Sequence, residues 1–160
     1  MKEAELDRDA KEWSIPAERS KNKRPHLIPL TDHMLALIGP PSESFIFLSV
    51  SKSGHTTSSG PIQRIKRQCQ ALGIGNVSTH TMRRTFITNM ARLSIPTEIR
   101  NRLTNHADQS VDGIYNQHDY LEQKRDALIR WDRQLRAIIS GIPSDSKVVS
   151  LEKRQSQSDG

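Results

Sequence analysis

The sequence has 160 residues, of which 34% are hydrophobic, enough for one domain with a single core and ragged ends. Its net charge of +6 makes a polyanion a reasonable partner, because basic side chains release counterions from a phosphate backbone. The single cysteine excludes an internal disulfide, and the lack of a signal peptide or of a membrane-length apolar run leads us to expect a soluble, cytoplasmic protein.

The first part of the chain has the pattern of a β-hairpin. Two extended segments, Trp13 to Pro16 and Pro25 to Leu30, enclose a polar run, as two strands enclose a turn. Thr31 then has the character of an N-cap, and Gly39-Pro40-Pro41 is expected to end the helix that it begins. The apolar run at 45–48 is interpreted as a third strand or a buried extended segment.

Helix patterns dominate the remainder. Pro61 falls in the first turn of one predicted helix, Thr79 is the predicted N-cap of the next, and Pro96 begins a third. A short fourth helix is expected near 110–115, and a long fifth from about Asp119 to Ile139. The predicted apolar faces contain Ile62, Ile65, Cys69, Leu72, Met82, Phe86, Met90, Leu93, Ile99, Leu103, Leu121, Leu128, Trp131, Leu135 and Ile138. The fold class is therefore mainly α with a small antiparallel sheet (α+β), and residues 141–160 are expected to be a disordered tail.

Two short segments carry residues suited to an anionic ligand. His80 and Arg83 are three residues apart, so on a helix they project from one face, while Met82 and Phe86 are expected to face the core. A guanidinium group offers a planar fork of donors that matches two phosphate oxygens. Downstream, Leu103-Thr104-Asn105-His106 is followed by Tyr115, nine residues after the histidine.

In this order the residues resemble the tyrosine recombinases, specifically the prophage integrases. That family has a His-x-x-Arg box, a Leu-Gly-His-like box and then a tyrosine nine residues later; here Thr104-Asn105 stands before the histidine where the family has Gly. The hairpin also resembles the one that carries the family's catalytic lysine in its turn, and Lys21 matches that lysine, with Lys23 as the alternative. The resemblance covers about Glu5 to Ile139 and assigns residues 1–140 to part of the recombinase catalytic domain.

The resemblance implies site-specific DNA recombination or integration without a metal or a cofactor. Tyr115 would attack the scissile phosphate and form a 3′-phosphotyrosyl link, which conserves the energy of the phosphodiester. Arg83 and His106 would stabilise the charge of the transition state. Lys21 would protonate the leaving 5′-oxygen, and His80 would assist proton transfer.

The implied partners are double-stranded DNA and other recombinase protomers bound to it, in association with a bacterial nucleoid. DNA contacts outside the reaction are assigned to Arg84, Lys23 and Arg24. Tyr120 is the alternative nucleophile, but its place beside Leu121 at the opening of the last helix favours a packing or capping role.

One family residue has no match in the sequence. Recombinases carry a first catalytic arginine on a helix further upstream than the twelve residues before Trp13 allow, and Arg8 lies in the connection just before the strand. We likewise expect the given sequence not to include the family's amino-terminal DNA-clamping domain. We therefore expect a fragment that cleaves DNA poorly by itself. The alternatives are an inert DNA-binding remnant or regulator and a helical protein-interaction domain.

Overall fold

The structure of the chain, a computed structural model, describes residues 1–47, 56, 60–75, 77–106 and 120–141. It contains three strands, β1 (Leu6–Asp7), β2 (Glu12–Ile15) and β3 (His26–Pro29), which form an antiparallel sheet in the order β1-β2-β3. After a short 3-10 turn at Glu3–Glu5 and the sheet come five described helices: α1 (Asp32–Ile38), α2 (Gly60–Ala71), α3 (Thr79–Arg92), α4 (Thr97–Leu103) and α5 (Leu121–Ser140). The predicted α+β class is confirmed.

The predicted hairpin is confirmed, with Trp13 opposite Ile28 across β2 and β3. The third strand is β1, however, and the interpretation of 45–48 as a sheet strand was wrong. Phe45 instead forms an isolated bridge with Lys2, and Leu48 lies outside the described residues. β1 pairs with β2 because the turn between them is tight, with the Ala10 amide donating to the Asp7 carboxylate at 2.8 Å.

Side-chain caps define where two of the helices begin. Thr31 caps α1 as predicted, since its hydroxyl accepts a hydrogen bond from the Met34 amide at 3.2 Å. The cap of α3 was misplaced by one residue, because Ser78 and not Thr79 has the extended backbone and accepts from the Thr81 amide at 3.1 Å. Pro96 stands at the N-cap of α4, one residue before its first turn.

The core lies where α3, α4 and α5 meet beside β3. Phe86 and Trp131 pack against this core and meet each other edge to face, with 5.7 Å between their ring centroids. The buried members of the core are Met90, Ile95, Ile99, Leu103, Ala127 and Leu128. Three side chains predicted for apolar faces are exposed instead: Leu72, Met82 and Ile138. Each lies at or just beyond a helix end, and periodicity identifies a face of a helix without showing how far along it the neighbours extend. Within the described residues no helix is long and apolar enough to cross a membrane.

Met90 provides a direct test of this core. Its side chain is fully buried, so Met90→Ala is expected to lower the free energy of unfolding by about 2–5 kcal/mol through lost burial and a residual cavity. Met82 on the same helix is 47% exposed, and Met82→Ala is expected to change stability by about 0.5 kcal/mol or less. Urea unfolding followed by circular dichroism measures both, and equal losses in the two variants would contradict the placement of the core.

Candidate functional site

Helix α3 carries both residues of the His-x-x-Arg box near its amino-terminal end. His80 and Arg83 are exposed, and one turn of helix separates them. Phe86 packs toward the core as predicted, whereas Met82 does not, because it lies in the exposed first turn. The Arg83 guanidinium reaches across to α4 and donates from Nη1 to the carbonyl oxygen of Thr104 at 2.6 Å.

The segment that follows α4 is tied to three other parts of the fold by three successive residues. The ring of His26, at the start of β3, donates to the carbonyl of Leu103. Arg83 of α3 donates to the carbonyl of Thr104. The side chain of Asn105 then contacts the turn between β2 and β3. The segment from Leu103 to Asn105 therefore joins β3, α3 and the turn between β2 and β3 at one place.

Asn105 has the backbone conformation that glycine usually adopts at a helix end. Its φ is +52°, in the left-handed region, which Asn tolerates better than most residues with a side chain. The His106 amide donates to the Asn101 carbonyl at 3.0 Å, a hydrogen bond that closes the end of α4. The replacement of the family's Gly by Asn thus leaves a left-handed turn before His106, whose side chain is exposed.

We call residues 20–24 the lysine turn. Ser20 is buried, and its hydroxyl donates to Asn22 Oδ1 at 2.6 Å. Asn22 Nδ2 donates to Asn105 Oδ1 at 2.8 Å, and Asn105 Nδ2 donates to Ser20 Oγ at 3.1 Å, which completes a ring of three side-chain hydrogen bonds. Sequence reasoning missed this ring; its one signal was Asn105 in the place of the family's Gly.

These contacts bring together the segments that carry three of the predicted catalytic residues: Lys21, Arg83 and His106. Lys21 and Lys23 flank Asn22, and both are exposed without an ion pair to the described part of the chain. His80 lies on the same helix as Arg83. Tyr115 lies outside the described residues, so its position relative to the others stays a prediction.

The predicted DNA-contact residues occupy the same region. Arg84 is exposed beside Arg83 on α3, Lys23 is exposed in the lysine turn, and Arg24 is half-buried just before β3. Together with Arg83 and Lys21 they place cationic groups on two linked segments. Such a group of guanidinium and ammonium donors is suited to a phosphate-bearing ligand. Nowhere in the described ranges do three or more His, Cys, Asp or Glu side chains come together as a metal site would require.

Tyr120 has the packing role predicted for it. It occupies the N-cap position of α5 and contacts the core, and the Arg102 guanidinium lies over its ring at 3.9 Å. Glu98, hydrogen-bonded to its hydroxyl, raises the pKa of Tyr120 above its ordinary value. A raised pKa disfavours the phenolate form, so this environment is the opposite of what activates a nucleophile.

Arg8 is engaged in structure rather than offered to a ligand. Its Nε and Nη2 donate to the carboxylate of Glu3 at 2.7 and 3.1 Å, and Nη1 donates to the Gly39 carbonyl at 2.7 Å. All three nitrogens therefore hold the amino-terminal segment against the end of α1.

His26 is expected to make the fold sensitive to mild acid. Burial, followed by the nearby Lys124 ammonium, lowers the pKa of His26 below its usual value of 6.5. The unfolded chain then binds a proton more readily than the folded chain, so stability present above about pH 6.5 is lost as the pH falls toward the folded pKa.

His26→Gln keeps a donor for the Leu103 carbonyl and cannot be protonated. Its loss of stability between about pH 7.5 and about pH 5.5 is expected to be smaller than that of the unmodified chain. Urea unfolding at the two pH values measures the loss of stability in each protein. The titration of the other histidines is common to both and cancels when the two losses are compared. An identical loss in both proteins would show that His26 is not responsible.

Comparison with known proteins shows the family to which the chain belongs. The family model described as "Phage integrase family" matches residues 1–122. The prophage integrase IntA of Escherichia coli (strain K12) is 33% identical over an alignment of 144 positions, which covers 86% of this chain and 34% of the relative. The chain thus spans about a third of the length of that curated relative. No solved structure gives a significant match. With its His-x-x-Arg helix joined to the Thr104-Asn105-His106 box, the chain belongs to the phage integrase family.

Proposed function

We propose that this chain forms part of the catalytic domain of a site-specific recombinase, which cuts and rejoins DNA through a 3′-phosphotyrosyl intermediate on Tyr115. The observation that carries the proposal is the junction of the Arg83 helix, the His106 box and the lysine turn through the contacts of Thr104 and Asn105. Three segments distant in sequence meet there, and each supplies a group that phosphoryl transfer can use.

Arg83 and His106 are proposed to stabilise the transition state. Arg83 uses Nη1 for the Thr104 carbonyl, and a guanidinium has five N–H donors, so the others remain for the non-bridging oxygens of the phosphate. Anchoring one nitrogen restricts the orientation of the group before DNA arrives, which reduces the reorganisation needed during the reaction. His106 lies exposed on the adjoining segment, as a second donor to the phosphate.

Proton transfer is assigned to Lys21 and His80. Lys21 is proposed to protonate the 5′-oxygen as it leaves, because an alkoxide is a poor leaving group unless it receives a proton. Lys23, in the same turn, is the alternative. His80, one helical turn from Arg83, is proposed to assist proton transfer at the tyrosine or the phosphate.

The proposed partners are duplex DNA and further recombinase protomers assembled on it. Arg84, Lys23 and Arg24 would contact the phosphate backbone, so affinity should fall with rising salt. The reaction is proposed to take place on chromosomal DNA at the nucleoid, in the cytoplasm, and the likeness to a bacterial prophage integrase supports this proposal.

The test is to trap the covalent intermediate on a nicked DNA substrate, from which the cleaved strand diffuses away. The proteins compared are this chain and a longer version that includes an upstream arginine-bearing helix. We expect an adduct from both, formed about a hundred- to a thousandfold more slowly by the shorter chain, because the family's first arginine has no match in its sequence and loss of one positioned donor slows such a reaction by that factor.

Each result of that comparison has a distinct meaning. Equal rates would show that a residue within these 160 supplies the role of the first arginine. Salt-sensitive duplex binding without an adduct in either version would refute the proposed reaction and identify a DNA-binding remnant. Absence of duplex binding even at low salt would favour a protein-interaction domain.

A further inference from the structure

We propose that Asn105 is a positioning residue, which docks the lysine turn against the His106 box before DNA binds and so sets where the general acid stands. Its catalytic consequence rests on the proposed function. The docking itself does not, because it follows from the hydrogen bonds among Ser20, Asn22 and Asn105.

The direction of every hydrogen bond in the ring is determined by one backbone amide. The Arg24 N–H can only donate, and it donates to Asn22 Oδ1 at 3.2 Å, which identifies that atom as the oxygen. Asn22 Nδ2 is then the donor to Asn105 Oδ1. Asn105 is left with its amide nitrogen for Ser20 Oγ, and the Ser20 hydroxyl donates back to Asn22. Each of the five side-chain nitrogen and oxygen atoms of the three residues thus takes part in at least one hydrogen bond.

The two bonds made by Asn105 join positions more than eighty residues apart in sequence, since its partners are separated from it by 83 and 85 residues. Ser20, which receives one of them, is 5% exposed, so that bond is sheltered from competing water. The backbone of the turn is further held by the Lys23 amide, which donates to the Ser20 carbonyl at 3.1 Å. The lysine turn is therefore attached to the segment that follows α4 and not only to its own strands.

Asn meets two requirements at position 105 that few residues meet together. The backbone must adopt a φ of +52°, and the side chain must both donate and accept a hydrogen bond. Gly satisfies the first requirement only, Ala satisfies neither, and an ionised Asp lacks the donor that Ser20 receives. With Asn in the place of the family's Gly, the chain retains the turn and gains the attachment.

The consequence concerns the two lysines. Lys21 and Lys23 flank the docked Asn22, so their backbone positions are restricted while their exposed side chains can still turn toward a DNA phosphate. A restricted backbone reduces the search for a reactive geometry, and loss of the attachment should slow the step that depends on the lysine.

Asn105→Gly removes the attachment and keeps the left-handed backbone without strain. Ser94→Gly is the matched control, because Ser94 also has a positive φ, +58°, and is exposed in the turn between α3 and α4. In hydrogen exchange without DNA, the amides of Lys23 and Arg24 are expected to exchange about tenfold faster in Asn105→Gly, and unchanged in Ser94→Gly. Ser20→Ala, which breaks the ring from the other side, should reproduce the effect.

A second readout separates positioning of the lysine from a general effect on the fold. A DNA substrate whose leaving 5′-oxygen is replaced by sulfur needs no general acid, because a thiolate leaves unprotonated. We expect Asn105→Gly to slow adduct formation about tenfold on ordinary DNA and to leave the sulfur substrate nearly unaffected.

Unchanged exchange in both ring variants would overturn the docking. Faster amide exchange together with equally slow adduct formation on both substrates would overturn the claim that Asn105 positions the general acid. Absence of an adduct from the unmodified chain on either substrate would refute the proposed function, and the exchange measurement would still decide whether Asn105 holds the turn.

Discussion

Tyr115→Phe is expected to abolish the covalent protein–DNA adduct while duplex affinity stays nearly unchanged. The phenolic oxygen is the atom that would bond to phosphorus, so its removal eliminates the reaction rather than slowing it. DNA affinity comes mainly from basic groups that contact phosphates, and Phe keeps the bulk of the ring. Denaturing electrophoresis of trapped reactions measures the adduct, and a titration at low salt measures the affinity.

Tyr120→Phe is the matched control, because it makes the same atomic change five residues along the chain. Its ring would keep the contact with Arg102 and lose the hydrogen bond to Glu98. We expect this variant to form the adduct at close to the unmodified rate. If Tyr120→Phe formed no adduct and Tyr115→Phe formed it at the unmodified rate, Tyr120 and not Tyr115 would be the nucleophile.

Arg83→Ala is expected to slow adduct formation by about a hundred- to a thousandfold at saturating DNA. Loss of one positioned donor from a transition-state site costs about 3–4 kcal/mol in activation free energy. The variant also loses the hydrogen bond from Nη1 to the Thr104 carbonyl, so the orientation of the His106 box should relax as well. Single-turnover kinetics with the nicked substrate measure the rate.

Two further variants show whether the guanidinium itself is required. Arg92 is exposed in the last turn of the same helix, and Arg92→Ala is expected to leave the rate at saturating DNA within about twofold of the unmodified chain. Arg83→Lys keeps the charge but replaces the planar fork with a single ammonium, so a large part of the defect should remain. Full activity of Arg83→Lys would mean that charge alone is sufficient.

The described helices were predictable because the signals that define them are local, and the short helix expected near 110–115 lies outside the described residues. Thr31 and the glycine-proline run around α1, and the apolar spacing of Phe86 and Met90 in α3, act within a few residues of the chain. The same logic misplaced the cap of α3 by one residue, since Ser78 and Thr79 have equivalent hydroxyls. Their backbone angles, which composition does not determine, decide between them.

The residues of the candidate site were predicted from the sequence, and the contacts among their segments were not. Through the resemblance to the recombinases, the order of Lys21, His80, Arg83, His106 and Tyr115 predicts phosphoryl transfer without any structure, and each residue type suits the role that the resemblance implies. That Arg83 would donate to the Thr104 carbonyl has no signal in the spacing, since backbone carbonyls are present at every position. The strand at 45–48 failed for a related reason, because its apolar residues do not identify their pairing partner.

The sequence by itself determined the hairpin and most of the helical faces, which depend on residues close together in the chain, and it predicted the chemistry of the site from the identity of single side chains. Only the tertiary structure decided that Asn105 would bind the lysine turn, that Tyr120 would lie beneath Arg102 and that Arg8 would be occupied by Glu3. Hydrogen bonds and ring contacts of this kind require distances within a few ångströms and defined angles. Such distances between residues far apart in sequence follow from how the helices and the sheet pack, and the packing is a property of the whole chain.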